Sequence, residues 1–388
     1  MKQFHLEPRR IKEIGIAGIL LAILVVWGVS LHLTEPNREA TAARKRLFAV
    51  ARVTEVISDN AAPDTWTEGR RLGEQYLEVE LLSGPYKGTV LETYNYMSAY
   101  LNVDAGEGTR IIVRLDLDDN GEPYIIAVPN YDRATVLMGL LAIFALLLIV
   151  IGGKKGVLAL LGLAYTLACL WFILVPMILR GASPIPVTIL IVALTTVASL
   201  ILLTGLSKKT LCATLGCVGG VAAAGLFAAV SGVLSPLNGF NMSEAEELVL
   251  RAADSELHIS GLFVAGILVA SLGAVMDVAM SISSSCWELR ELNPGLPKAA
   301  LFRSGMNIGR DAMGTMANTL ILAFSGASLN MLLLFQVYDY PLIQIFNTDA
   351  MAMEVIRGVA GSIGIILTVP LVALLSAQIM GPAAKRKP

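Results

Sequence analysis

Polar residues at helical spacing interrupt an apolar segment in the C-terminal half of the sequence. The residues at i, i+4, i+8 and i+11 of this segment are Asn307, Asp311, Thr315 and Asn318. This spacing places them on one face of a helix. Asp277 and Ser281 repeat the pattern in the preceding apolar segment. Because polar groups within a membrane are costly unless they face protein or water, we expect both stripes to point into a helix bundle and to line an ion path or polar cavity.

A structural role is the alternative for the same residues. Asp277 could pair with Arg310 near the membrane boundary and join two helices, while Asn318 hydrogen-bonds across them. Asp311 would also stabilise a helix N-terminus. The sequence leaves the two roles evenly balanced. The candidate set, as a polar path or a helix-pairing cluster, is therefore Asp277, Ser281, Asn307, Arg310, Asp311, Thr315 and Asn318.

Signatures of enzymes and bound cofactors are missing from the sequence. It contains neither the GxxxxGK[ST] loop of P-loop ATPases nor the HExxH motif of metalloproteases. Methionines crowd the candidate region, and core packing is favoured over copper binding for them. We therefore expect no enzyme, no cofactor and no metal. An intramembrane enzyme that uses His258 is the weakest alternative.

The composition is that of an integral membrane protein. Of the 388 residues, 55% are hydrophobic and only 15% are charged, whereas about a quarter are charged in soluble domains. A membrane-spanning helix needs about 20 apolar residues, and eight stretches qualify. They are Ile14–Leu33, Thr135–Ile151, Val157–Leu179, Val187–Leu206, Leu211–Leu234, Ile259–Ile282, Ala312–Phe335 and Val359–Gln378. Gly216-x-x-x-Gly220 in the fifth stretch predicts close helix packing.

Basic residues set the orientation of these spans. Clusters lie before the first span, after the second and fourth, between the sixth and seventh, and at the C-terminus, as at Lys154–Lys155 and Lys208–Lys209. With eight spans every cluster falls on one side, which the positive-inside rule identifies as the cytoplasm. Acidic residues instead dominate the opposite loop Ser235–Leu257. We expect both termini to be cytoplasmic, and the first span to be an uncleaved anchor and not a signal peptide.

A polar insert separates the first two spans and has the pattern of a β domain. Its predicted strands are Leu47–Ile57, Gln75–Leu82, Thr89–Tyr94, Arg110–Leu117 and Pro123–Val128. Residues 84–88 predict a turn, and Asn120-Gly121 predicts a type I′ hairpin. Five short strands favour a small β-barrel or OB-like sheet. The adjacent acidic run 116–121 resembles a calcium loop but lacks its final glutamate, so a hairpin tip is favoured.

The sequence resembles the YibE/F-like family of multi-pass membrane proteins. The resemblance rests on GRDAMGTMANTLIL at 309–322, on residues 272–284, and on the closing stretch 361–371. It extends over almost the whole chain, with a departure at Cys286-Trp287-Glu288. The resemblance implies a permease-like protein without an identified substrate.

These observations predict three regions. Residues 1–34 form a basic N-terminus and anchor, 35–133 an extracytoplasmic β domain, and 134–388 a bundle of seven spans. We expect a permease for a small solute or ion in a bacterial cytoplasmic membrane. The alternative is a non-transporting scaffold or assembly factor that binds an envelope protein through the β domain. Lipid is an expected partner, nucleic acid is not, and a homo-oligomer stays open.

Overall fold

The computed structural model describes residues 46–118, 120–237, 239–242, 245, 248, 258–259 and 261–380. The predicted first span, both terminal basic clusters and most of the acidic loop lie outside the described residues. The chain divides between Leu148 and Ile149 into two compact units. We call the strands from Arg46 to Tyr131 the β unit and the described residues after Leu148 the helical unit.

The β unit is a curled antiparallel sheet. Its strands are β1 Arg46–Asp59, β2 Ala62–Pro63, β3 Arg71–Leu81, β4 Val90–Met97, β5 Arg110–Leu117 and β6 Pro123–Tyr131. The order is β2-β3-β1-β5-β6, with β4 on the free side of β3. Alternating apolar residues of β1, β3 and β5, such as Ala51, Leu77 and Ile111, form the core. The five predicted strands are therefore present, with shifted ends, and the two-residue β2 is additional.

Strand β1 is long enough to serve both halves of this sheet. It pairs with β5 from Arg46 to Arg52 and with β3 from Ala51 to Asp59, and two register shifts interrupt the second pairing. Such bulges bend a strand and increase its twist. The curl brings β4 close to β6, where the Thr93 hydroxyl donates to the Ile126 carbonyl at 2.9 Å.

The hairpin between β5 and β6 differs from the predicted type I′ turn, which needs two residues at positive φ. Gly121 has a φ of 86°, whereas Asn120 does not have positive φ. The Asp118 N–H donates to the Glu122 carbonyl at 2.9 Å, which makes the loop one residue longer than predicted. The Asp118 carboxylate accepts from the N–H groups of Glu122 and Asn120, and these bonds lower its pKa, the Glu122 amide most. The acidic run is thus organised as a hairpin tip.

Long apolar helices make up the rest of the described chain. They are α1 Ala134–Cys169, continued by the π-helical Leu170–Leu174, then α2 Val175–Leu179, α3 Pro184–Thr204, α4 Lys208–Leu234, α5 Leu262–Leu292, α6 Lys298–Ala327, α7 Leu329–Val337, α8 Leu342–Asn347 and α9 Asp349–Ile379. Five helical runs of the described residues are long and apolar enough to span a membrane, and the bent pair α6–α7 makes up to six. The chain is a membrane protein with a β insert.

Two of the predicted spans are joined in the structure. Residues Ala134–Leu179 form one helical run of 46 residues, where the sequence predicts spans ending at Ile151 and starting at Val157. The run is interrupted at Gly153, whose φ of 54° and ψ of −130° are not helical. A π-helical turn precedes Pro176, which has no N–H to continue the α-helical hydrogen bonds.

The predicted seventh span is not one straight helix. It breaks after Ala327, and α6 and α7 meet at an angle of 57°. The small residues Gly326, Ala327 and Ser328 occupy the break, where the Ser328 N–H donates to the Phe324 carbonyl at 3.0 Å. Helix α6 also starts at Lys298, well before the predicted span, so the polar stripe lies inside a long continuous helix.

Glycines bring the central helices of the helical unit together. A Cβ at Gly216 or Gly220 of α4 would overlap Val372 or Thr368 of α9. The close packing predicted for Gly216-x-x-x-Gly220 is therefore present. Gly305 and Gly309 repeat this spacing on α6, where a Cβ at Gly309 would overlap Val369 and lie 2.9 Å from Ile282 Cδ1. Helix α9 therefore packs closely against both α4 and α6.

Candidate functional site

Helix α5 carries Asp277 and Ser281 on its exposed face. The opposite face, including Val275, Val278 and Ile282, is buried in the core. Along the exposed face small or polar residues recur at helical spacing, namely Gly266, Ala270, Gly273, Asp277 and Ser281. A helix surface that faces lipid is normally covered by large apolar side chains, so this face has an unusual composition for a membrane-spanning helix.

Helix α6 has the same division between two faces. Leu301, Gly305 and Gly309 are buried against its neighbours. The residues of the polar stripe, together with Arg310, are exposed: Asn307, Arg310, Asp311, Thr315 and Asn318. One face of α6 therefore carries glycines that contact α9, and the other face carries exposed polar side chains.

The contacts between α5 and α6 place the two stripes at the same depth. A Cβ at Gly305 would lie 3.0 Å from Cys286 Sγ, and one at Gly309 lies next to Ile282, so the helices run antiparallel. Asp277, five residues before Ile282, is thus level with residue 314, five residues after Gly309. At 1.5 Å per residue, the α6 stripe from Asn307 to Asn318 is about 16 Å long.

The structure leaves these side chains on the surface of the described helices. The expected inward orientation of the two stripes is not found there, because all seven candidate residues are exposed. Among the described residues no ion pair joins Asp277 to Arg310, the contact that a helix-pairing role required. Thr315 contributes its carbonyl to the Thr319 hydroxyl at 2.8 Å. The described residues therefore place the two stripes at overlapping depths and leave both of them exposed.

A cavity of about 270 Å³ adjoins the α5 stripe. It lies between α1, α3 and α5 and is lined by Met276, the neighbour of Asp277, and by the hydroxyl residues Thr166, Thr195 and Ser199. The Thr166 and Thr195 hydroxyls donate to the carbonyls of Gly162 and Ile191 at 3.0 and 2.8 Å. These threonines were not predicted as site residues. Their hydroxyl groups within apolar spans are the sequence feature that could have identified them.

The candidate region's methionines fill space between helices. Met276, Met280, Met306, Met313 and Met316 are partly buried and pack against the core. Their long, flexible side chains suit the irregular gaps between helices. The run at 309–322 accordingly combines a packing glycine, methionines and exposed polar groups on one helix.

Comparison with known protein families gave a match to the helical part of the chain. The YibE/F-like protein family matches residues 140–382, more than half of the chain. The chain belongs to the YibE/F-like family. The family match includes all seven candidate residues but not the strands of the β unit, so the resemblance expected over almost the whole chain applies to its helical part. Comparisons with curated proteins and with solved structures gave no match.

His258, the residue of the enzymatic alternative, lies in a separate open pocket. Ser183, Pro184 and Gly261 line the same pocket. Among the described residues no hydrogen bond joins Ser183 to His258, and no acidic side chain lines the pocket. This pocket does not carry a catalytic proposal.

Proposed function

We propose that this YibE/F-like protein is a permease that moves a small solute or ion along the stripes of α5 and α6. The supporting observation is the exposure of Asp277, Asn307 and Asp311 on neighbouring helices, with Asp277 at a depth within the α6 stripe. Polar and ionisable groups within a bilayer are costly to leave in lipid, and they commonly mark solute and ion pathways. Carboxylates and amides in this arrangement suit a hydrated cation or a small polar solute.

A path along these stripes needs a further wall. The stripes form one side of the path, and a second copy of the chain would supply the wall. The cavity beside Met276 lies on the other flank of α5, and its mostly apolar lining includes the hydroxyl groups of Thr166, Thr195 and Ser199. Its volume of about 270 Å³ is enough for several waters, since each occupies about 30 Å³ in the liquid.

The proposal includes eight spans with both termini in the cytoplasm of a bacterial cell. The run Ala134–Leu179, at 46 residues, would be about 69 Å long, roughly twice the 30 Å core of a bilayer. We place two spans in it, with Gly153 and the basic pair Lys154–Lys155 at the cytoplasmic turn. The β unit then lies outside, and its strand order with β4 next to β6 supports an OB-like barrel.

Thiol accessibility tests the path without knowledge of the substrate. Thr315→Cys and Asn318→Cys are introduced into a chain whose own cysteines are replaced, a mild change because all four are buried. A charged, membrane-impermeant methanethiosulfonate reagent should label both positions in intact vesicles. Leu226→Cys on α4, which is 68% exposed on an apolar helix surface, is the matched control and should resist labelling.

The outcomes separate a path from a helix contact. Labelling of Thr315→Cys and Asn318→Cys well above Leu226→Cys supports the permease. Equal, low labelling of all three means that the stripes are dry and contradicts it. Asp277→Asn and Asp311→Asn should leave the abundance of the protein in the membrane near normal, and their disappearance would make both charges structural.

A scaffold is the second candidate, and an observation in the β unit favours it. Large aromatic side chains, including Trp66 and Tyr100, are exposed there. Deleting residues 47–128 separates the candidates, because a scaffold should lose its function whereas a permease should keep basal transport.

A further inference from the structure

The outer face of β3 and β4 carries three tyrosines in mutual contact. Tyr76 and Tyr94 are register partners, with ring centroids 4.5 Å apart, and the rings of Tyr94 and Tyr96 stack at 6.1 Å. Tyr94 and Tyr96 are 50% and 65% exposed. A run of contiguous exposed aromatic surface marks an interaction site far more often than single exposed residues do.

Two loops extend this aromatic surface at one end of the sheet. Trp66, 93% exposed, lies between β2 and β3, and Tyr100, 96% exposed, follows β4. Hydrogen bonds within each loop hold its backbone, since the Trp66 N–H donates to the Asp64 carboxylate at 3.1 Å and the Tyr100 N–H donates to the Ser98 hydroxyl at 3.3 Å. These bonds order the backbone of the two loops that carry Trp66 and Tyr100, which lowers the entropic cost of binding.

Carboxylates lie in register beside the tyrosines. Glu55 of β1, Glu78 of β3 and Glu92 of β4 are register partners across three strands. Like charges directly opposite each other destabilise a sheet. The Thr54 hydroxyl donates to Glu78 at 2.7 Å, and the Tyr76 hydroxyl donates to Glu92. These bonds orient the carboxylates but add no positive charge.

Among the described strands, the glutamates of β3 and β4 have one basic register partner. Glu74 is the register partner of Tyr96, and only Glu80 has a basic register partner, Arg52. The hydrogen bond to Glu92 is the main cause that raises the pKa of Tyr76. The face therefore combines tyrosine rings and hydroxyls with glutamate carboxylates.

This combination selects the class of ligand. The electron-rich faces of tyrosine rings attract ammonium and guanidinium groups, and the glutamates add charge complementarity. Nucleic acid would bring phosphates towards carboxylates, the opposite of the basic surface that binds it. A neutral ligand would leave the opposed glutamates uncompensated.

We propose that this Tyr–Glu face, composed of Tyr76, Tyr94, Tyr96, Glu78 and Glu92, docks a lysine- or arginine-containing segment of a partner protein. An extended segment would place alternate basic side chains over the rings and between the carboxylates. The adjoining Trp66 and Tyr100 would contact the aliphatic parts of the same segment. This docking site does not depend on transport by the helical unit, and it gives the scaffold alternative a defined surface.

The full-length chain in nanodiscs of zwitterionic phosphatidylcholine tests the proposal. The probe is a fluorescent nine-residue peptide of alternating lysine and alanine, and binding is followed by anisotropy. The peptide should bind, and its affinity should fall with increasing salt, as expected for charge complementarity. A peptide with glutamate in place of lysine should not bind.

Variants identify the face as the binding site. Tyr94→Ala and Tyr96→Ala should each weaken binding about two- to fivefold, the range for an exposed cation–π contact, while Tyr94→Phe should bind like the wild type. The matched controls Phe48→Ala, an exposed aromatic of β1, and Glu122→Gln at the β5–β6 hairpin should leave binding unchanged.

Glu92→Gln gives the sharpest result, because binding and stability should move in opposite directions. It relieves the repulsion with Glu78, so the β unit should resist unfolding at least as well as the wild type, yet the lysine peptide should bind more weakly. Unchanged binding in Glu92→Gln and Tyr94→Ala would overturn the proposal. So would equal binding of the glutamate peptide, or binding of a neutral oligosaccharide but not of the lysine peptide.

Discussion

The helical unit and the β unit each expose the side chains that their own surroundings disfavour. On α5 and α6 the exposed groups are two carboxylates, a guanidinium, amides and hydroxyls, on helices apolar enough to span a membrane when α6 is taken together with α7. On β3 and β4 they are aromatic rings on a sheet rich in charge. In both units the opposite side of the same element is packed in the core.

The polar groups of the helices and the aromatic rings of the sheet mark the two surfaces through which the protein interacts with other molecules. Polar groups in lipid need water or protein, and stacked rings in water lose the burial that makes them favourable. The same reasoning therefore yields a polar path in one unit and a docking face in the other. Substitutions on the packed sides should destabilise the fold, whereas substitutions on the exposed sides should affect function before stability.

Gly309→Leu is expected to have the largest effect. The new side chain would have to enter the contact with Val369 and Ile282, where even a Cβ has no room. Overpacking a well-packed core commonly costs about 1–3 kcal/mol, and more where backbones must separate. We expect little monodisperse protein by size-exclusion chromatography in detergent.

Asn307→Ala on the exposed side of the same helix is the control, and it should be recovered like the wild type. The two residues are one helical turn or less apart, so the comparison isolates the face and not the depth. Normal recovery of Gly309→Leu would mean that the helices are less tightly packed than the glycine contacts indicate.

The sequence predicted the helices and strands better than it predicted which residues pack against their faces. Alternating apolar residues placed the strands, and Gly216-x-x-x-Gly220 marked a real helix contact. The same logic applied to Gly305-x-x-x-Gly309 would have identified the packed face of α6. The periodicity of Asn307, Asp311 and Thr315 shows that they share a face, but it carries no information about the neighbour of that face.

Local backbone conformation was the second feature that the sequence did not predict. The bend between α6 and α7 falls in the short run of small residues 325–328, inside a stretch apolar enough to be predicted as one span. Asn120-Gly121 favours a type I′ turn, yet the Asp118 carboxylate accepts two backbone N–H groups and stabilises a longer loop. The Tyr–Glu face depends on strand register, which the alternation alone does not define.

Gln75→Leu should have an intermediate effect, confined to the β unit. Gln75 is buried and accepts from the Asn95 amide at 3.0 Å while donating to Asp59. Removing it leaves buried polar groups without partners, at a cost of about 1–3 kcal/mol. Hydrogen exchange of β3 and β4 in the full chain should show the loss, and Tyr94→Ala should cost less, within about 1 kcal/mol. Equal losses would remove the distinction between the packed and exposed sides of the sheet.

The smallest expected effect is the acid sensitivity contributed by Asp59. Hydrogen bonding from Gln75, and then from the Ala61 amide and Arg71, lowers the pKa of Asp59 in the folded chain. A carboxyl whose pKa is lower when folded stabilises the fold above its unfolded pKa of about 3.9, and this stabilisation is lost as the pH falls through the folded value. Exchange protection of β3, corrected for the intrinsic pH dependence of exchange, should therefore decline from about pH 5 downward. Asp59→Asn should be less protected at pH 7 but should lose less on acidification, because an amide does not titrate. If wild type and variant lose protection in parallel, the acid response belongs to other carboxyls, and Asp59 acts only as a hydrogen-bond acceptor for the buried Gln75.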